Sequence, residues 1–218
     1  MTADRLALGS RLGREALEAI QAGAMRYTYK GVPTHKDPFD LALYQLMLWE
    51  LRPGTLIEIG SKFGGSALWF SDTLRTFGVD CAIHSIDINP PTATAPDVTF
   101  HKGDGRALGA TLSAEAMAGL PRPLLIVEDA DHHAKTTLSV LHFFDPWMRP
   151  GDYIVIEDGI IDDLFDVEQA AIFEGGPRQA VRDFLDQRGS DYEVDTRLCD
   201  YFGVNATWNV NGYLRRVR

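Results

Sequence analysis

Cysteine is nearly missing: Cys81 and Cys199 are the only two in 218 residues. They lie far apart and form no C-x-x-C, which excludes a redox dithiol and a zinc knuckle, and each is expected to be a buried thiol in a reducing compartment. Positive charge is scarce too, with 21 Lys and Arg against 31 Asp and Glu and a formal net charge of −10. Nucleic-acid binding relies on clustered basic side chains, so no nucleic-acid partner is expected. The one basic knot, Arg215, Arg216 and Arg218, reads as a solvated tail. No apolar run approaches the roughly 18 residues of a membrane span, and no charged-then-apolar leader opens the chain. The expectation is a cytoplasmic protein without a membrane partner. Repeats, low-complexity tracts and linkers are absent as well, and 45% hydrophobic with 24% charged residues is ordinary for a globular chain. One domain over residues 1–218 follows, with a helical segment and loop over 1–53 and a core over 54–218.

What is present is a strand and helix alternation. Residues 10–24 read as a helix and "RYTYKGVPTHKDPF" as a loop punctuated by Gly31, Pro33 and Pro38. From Asp40 a stripe of Leu41, Tyr44, Leu48 and Leu51, widened by Leu43 and Met47, predicts a mostly buried helix up to Pro53. "TLIEIG", "CAIHSIDI", "VTFHKGD", "LLIVED" and "DYIVIEDG" are short apolar runs of the kind buried parallel strands show, separated by helical segments. "YEVDTRLCD" and "WNVNGYLRRV" read as two further strands joined by a short loop, an antiparallel hairpin at one edge. The predicted fold is α/β: a seven-stranded, mostly parallel sheet with a C-terminal antiparallel hairpin and helices on both faces.

The first strand empties into "LIEIGSKFGGSALWF". Glu58, Gly60 and Ser61 end the strand, and Gly64, Gly65 and Ser66 open the next helix. Glycines there let a ligand approach the backbone, and free N–H groups at a helix start favour an anionic group; the alternative is a plain tight turn. A dinucleotide fingerprint needs G-x-G-x-x-G, which this loop lacks. Its form is E-x-G-x-x-x-G, the pattern of S-adenosylmethionine-dependent methyltransferases, with the loop wrapping a methionine carboxylate and an acid left for the amino group. Asp87, ending the second strand, is suited to both ribose hydroxyls. Asp104 and Gly105, ending the third, are suited to the adenine amine, although G-D-G also makes an ordinary turn.

The fourth and fifth strands both end in paired acids, Glu128-Asp129 and Glu157-Asp158. If those strands are neighbours, several carboxylates converge and repel, and something positive should sit among them. An oxygen-rich set suits Mg²⁺ or another divalent cation, with Asp129, Glu157 and Asp158 as candidate ligands; the alternative is solvated acids or helix caps. Alternation along a strand turns Glu128 away from Asp129. His132, three residues past Asp129, has an ordinary pKa of about 6.5 and is a candidate general base, or else a histidine bonded to backbone at a helix start.

On "GVPTHKDPFDLALYQ" (residues 31–45), "LIEIGSKFGGSAL", "VEDADHHAKTTLSVL", "MRPGDYIVIEDG" and "NGYLRRV", the chain resembles the cephalosporin hydroxylase/rhamnosyl O-methyltransferase family of class I methyltransferases. The loop "THKDPFD" with Tyr44 and Gln45 is its more particular signature. The resemblance implies a Rossmann-like methyltransferase fold, S-adenosylmethionine, a divalent cation on acids aligned with Asp129, Glu157 and Asp158, and a homo-oligomer. It places His132 after the first metal-ligand acid. His35-Lys36-Asp37 fits the H-x-D of a non-heme iron triad, but it falls in a loop of a protein whose other residues serve a different cofactor. The expected activity is metal-dependent O-methylation of a small natural-product or sugar acceptor bearing hydroxyl groups, with Asp129 and His132 catalytic. A nicotinamide-dependent oxidoreductase and a non-catalytic scaffold on the same fold are the rivals.

Overall fold

The computed structural model describes residues 3–92 and 94–218. The chain begins with α1 (Ala3–Leu6) and α2 (Arg14–Ala24), forms a small ribbon from β1 (Thr28–Tyr29) and β2 (Val32–Pro33), and enters α3 (Pro38–Leu51). The alternating core follows: β3 (Thr55–Ile59), α4 (Gly65–Thr76), β4 (Ala82–Asp87), β5 (Val98–Lys102), α5 (Ala114–Ala118), β6 (Leu124–Glu128), α6 (Ala134–Phe144) and β7 (Tyr153–Ile156). Two short helices, α7 (Ile161–Leu164) and α8 (Val167–Ala170), lead to α9 (Gly176–Arg188), β8 (Tyr192–Val194), α10 (Thr196–Cys199) and β9 (Tyr213–Arg216). Among the described residues no helix is long and apolar enough to cross a membrane.

The large sheet has seven strands in the order β5-β4-β3-β6-β7-β9-β8. The first five in that order run parallel, and β9 lies antiparallel between β7 and β8. Every residue of β3, β6 and β7 is buried. Side chains such as Leu56, Ile57, Ile126, Val127, Ile154 and Val155 join one core, each contributing roughly 1.5–3 kcal/mol by leaving water. From β3 the chain steps outward to β4 and β5, returns to β6, and steps the other way to β7. Right-handed crossovers in opposite directions place α4 and α6 on opposite faces. The switch between β3 and β6 opens a crevice at the carboxyl ends of the strands, where open α/β sheets bind ligands.

The C-terminal strands pair antiparallel as expected, but they are not a tight hairpin. Asp195 caps α10 by accepting from the Arg197 N–H at 3.0 Å, and residues 205–211 form a buried loop instead of extending β9. Its polar groups have a use. The Thr207 hydroxyl and the Trp208 N–H (2.9 Å) donate to the Asp40 carboxylate in α3, as does the Tyr213 hydroxyl at 2.9 Å. A fully buried acid needs such donors, so the tail gives up strand pairing to satisfy α3. Asp37 caps the same helix, accepting from the Phe39 N–H at 3.0 Å, and Pro38 at its first position suits a helix start.

Candidate active site

A cavity of about 620 Å³ lies at the switch point. Of the residues singled out in the sequence, Gly60, Asp87, Asp104, Gly105, Asp129, His132 and Asp158 line it. Gly60 explains how the two halves meet. Its φ is +103°, and a Cβ there would stand 1.9 Å from the Asp129 carbonyl oxygen, while the Asp129 N–H donates to the Ile59 carbonyl at 2.8 Å. Only glycine lets the end of β3 press so closely against the end of β6. Asp87 accepts from the Lys62 N–H (2.9 Å) and the Asn89 N–H (2.7 Å). These fix its carboxylate at the rim and leave a lone pair on each oxygen. Asp104 accepts from the Arg106 N–H at 2.8 Å and starts a short 3₁₀ turn at Gly105.

Glu58, Ser61, Gly64, Gly65 and Ser66 stand elsewhere. Glu58 is wholly buried, its two oxygens taken by the Ser66 and Ser85 hydroxyls, and burial pushes its pKa up to about 7 against the pull of Lys36 and Ser66. The acid expected to face a ligand amino group is thus a bolt behind the loop. Ser61 pairs with Ser85 at 2.6 Å, and Gly64 turns the chain at φ +81°. A Cβ on Gly65 would lie 2.1 Å from the Thr34 hydroxyl and 2.3 Å from the Pro33 carbonyl. The second glycine therefore admits the Pro33–Asp37 loop across the helix start rather than a ligand.

That loop delivers the positive charge the acids require. β6 and β7 are paired neighbours, with Glu128 opposite Ile156. Lys36, 4% exposed, places its Nζ 2.5 Å from Asp129 Oδ2 and 2.6 Å from Glu157 Oε2. The Tyr44 hydroxyl donates to Glu157 Oε1 at 2.6 Å. Burial disfavours the ammonium, but Asp129 and Glu157 outweigh it and hold Lys36 charged well above its ordinary range. Burial pushes Glu157 up to about 7 and raises Asp129, each opposed by Lys36. The nearest trio offering ligand atoms is Asp129, His132 and Asp158, within 4.8 Å of one another; the outer oxygens of Glu157 are already engaged. His132 Nδ1 lies 3.3 Å from Asp158 Oδ2. Burial lowers the His132 pKa, but Asp158 and Asp129 outweigh that and raise it. His132 and Asp158 both adopt left-handed backbone, at φ 60° and 56°. Such non-glycine conformations cost roughly 1–3 kcal/mol each and gather at functional sites.

Sequence reasoning missed Lys36: the demand for a cation beside the acids was legible, but its source in "THKD", 93 residues before Asp129, was not. Met25, Phe165 and Phe173, which also line the cavity, were not among the predicted site residues. Trp208 lines the cavity, whereas Trp69 belongs to the core. Asp37, as a buried helix cap, has no place in an iron triad with His35.

Glu128 faces away from the cavity, accepting from the Thr137 hydroxyl at 2.9 Å and the Ala130 N–H at 3.2 Å. Burial pushes its pKa up to about 7, against those two donors. The folded state holds that proton more tightly than the unfolded chain, so the stability it confers is complete below pH about 4.5 and lost as pH rises through about 7. Glu128→Gln keeps an acceptor for Ala130 and a partner for Thr137. We expect it to match the parent near pH 5 and to exceed it at pH 8 by about 1–3 kcal/mol in denaturant titrations. Lower stability at pH 8 would contradict the assignment.

A ligand crevice at the switch point without a dinucleotide glycine fingerprint, in a sheet closed by an inserted antiparallel strand, is the arrangement of class I methyltransferases, which use S-adenosylmethionine. The model of the Rhamnosyl O-methyltransferase/CmcI family matches residues 22–217, and the chain belongs to that family. It is 30% identical over 194 residues to a rhamnosyl O-methyltransferase of Mycobacterium leprae (strain TN), covering 87% of this chain and 82% of the relative. A rhamnosyl O-methyltransferase of Mycobacterium tuberculosis (strain ATCC 25618 / H37Rv) is 28% identical over 195 residues, covering 87% and 78%. Among solved structures, CmcI with Mg-SAM aligns with a TM-score of 0.68 at 28% identity, covering all of this chain and 85% of that one.

Proposed function

We propose that this protein transfers the methyl group of S-adenosylmethionine to a hydroxyl of a small acceptor with adjacent oxygens, and that a divalent cation, Mg²⁺ or a similar hard ion, assists. One observation carries the reading: Asp129, His132 and Asp158 converge on the same cavity wall that continues into Gly60 and Asp87. The donor chemistry fits. Asp129 and Asp158 offer carboxylate oxygens to the cavity, and Glu157, although bonded to Lys36 and Tyr44, retains a second lone pair on each oxygen. A cation held by Asp129 and Asp158, with Glu157 joining only by sharing its oxygens with Lys36 and Tyr44, would supply Lewis acidity that lowers the pKa of an acceptor hydroxyl. The Mg-SAM form of CmcI supports both groups.

The chain's own residues do the rest. Asp87 is set to accept from ribose hydroxyls, and Asp104 with Gly105 lies one strand further on, where an adenine edge fits. His132 turns Nδ1 toward Asp158, leaving Nε2 to take the proton from the acceptor hydroxyl. Its ring rests edge-on against Phe173, 6.0 Å between centroids. Ile160, Ile161, Leu164, Phe165 and Phe173 make the wall beyond His132 apolar. That wall shields the transferring methyl from water and suits a ring-bearing acceptor such as a sugar or a natural product.

Calorimetry with S-adenosylmethionine and NAD(H), followed by transfer of a labelled methyl to a panel of catechols, glycosides and sugar nucleotides, tests the reading. Micromolar binding of S-adenosylmethionine, none of NAD(H), and label in at least one diol are expected. The reverse binding preference would establish the oxidoreductase, and cofactor binding without transfer or divalent-ion uptake would favour the scaffold.

A further inference from the structure

We infer that Lys36 is a resident counter-ion of the cation site: its ammonium holds Asp129 and Glu157 side by side before a divalent ion arrives, and weakens the grip on that ion once it binds. The inference rests on the cation-assisted reading and adds a residue that sets how firmly the ion is held.

The sequence builds this device from three features. Gly65 lets the Pro33–Asp37 loop cross the start of α4 with no room for a Cβ. The Lys36 N–H donates to the Thr34 carbonyl at 2.7 Å, and Asp37 immediately becomes the cap of α3. Pinned on both sides, the side chain can only run inward, where its head group meets two carboxylates at 2.5 and 2.6 Å. Tyr44 holds the other oxygen of Glu157 at 2.6 Å, so the acid cannot swing away.

The physical consequence has two signs. Without a cation, Asp129, Glu157 and Asp158 would repel one another at the ends of adjoining strands, and the ammonium removes that repulsion. When a divalent ion shares Asp129 with the same ammonium, like charges stand a few ångströms apart in a partly dry site, and affinity falls. A merely structural ion pair would have the first effect without the second. The arrangement suits an ion that enters and leaves with the reactants rather than one held permanently.

Titration of Mn²⁺, followed by its paramagnetic resonance signal at pH 8 without cofactor or acceptor, tests this. Lys36→Met and Lys36→Gln are expected to bind Mn²⁺ about tenfold or more tightly than the parent, and Lys36→Arg to stay close to it. The ion-free Met and Gln proteins should also melt lower and gain more from saturating Mn²⁺. Unchanged or weaker Mn²⁺ binding by the neutral variants overturns the inference, even if their ion-free stability falls. If Lys36→Met does not fold, the order of Gln against Arg decides. A parent protein that binds no Mn²⁺ at millimolar concentration would instead overturn the cation-assisted reading on which the inference stands.

Discussion

Asp129→Asn is expected to slow methyl transfer about 10³-fold or more while changing S-adenosylmethionine affinity only a few-fold. The substitution is isosteric, and it leaves intact the Asp129 N–H bond to Ile59 and the carbonyl pressed against Gly60. The crevice floor between β3 and β6 should therefore keep its shape. Asp87 and Asp104, the residues assigned to the cofactor, sit at the ends of β4 and β5, away from the change. What disappears is a negative charge at the point where Lys36, His132 and Asp158 converge. Losing it removes one carboxylate from the cation site and leaves the Lys36 ammonium with Glu157 as its single charged partner, so kcat should fall far more than cofactor binding. Turnover and calorimetry on one preparation separate the two, and near-normal turnover would remove Asp129 from the mechanism.

The fold was legible because its signals are periodic and local. Apolar runs of four residues ending in acid mark β6 and β7, and Gly60 and Asp87 mark the ends of β3 and β4. The hairpin was misread in its connection because "WNVNG" looks like an alternating strand. Its polar residues answer instead to Asp40, far away in sequence, and one-dimensional patterns do not carry such pairings. The glycine loop was legible only in part, since Gly60 lines the cavity while Glu58, Gly64 and Gly65 do not. Gly65 is glycine because Pro33 and Thr34 cross it, and Glu58 is acidic because Ser66, Ser85 and Lys36 surround it. The acids of β6 and β7 were legible as a conflict of like charge. Its resolution by Lys36 was not, because the lysine comes from a loop more than ninety residues upstream of Asp129.

Removing divalent cations should have an effect of similar size. Asp129, Glu157 and Asp158 face one ammonium and one imidazole, an arrangement that keeps the acids together but offers no strong Lewis acid to an acceptor hydroxyl. His132 alone, although raised above its ordinary pKa, is a weak base for an alcohol of pKa far above its own. Chelation should therefore leave at most about one part in 10² to 10³ of the rate, with the fold and the cofactor crevice intact. The decisive measurement is the initial rate of methyl transfer to a responsive acceptor, first with excess EDTA and then after Mg²⁺ is restored above the chelator. A collapse that Mg²⁺ reverses is the predicted result. A rate undiminished by thorough chelation would contradict the account.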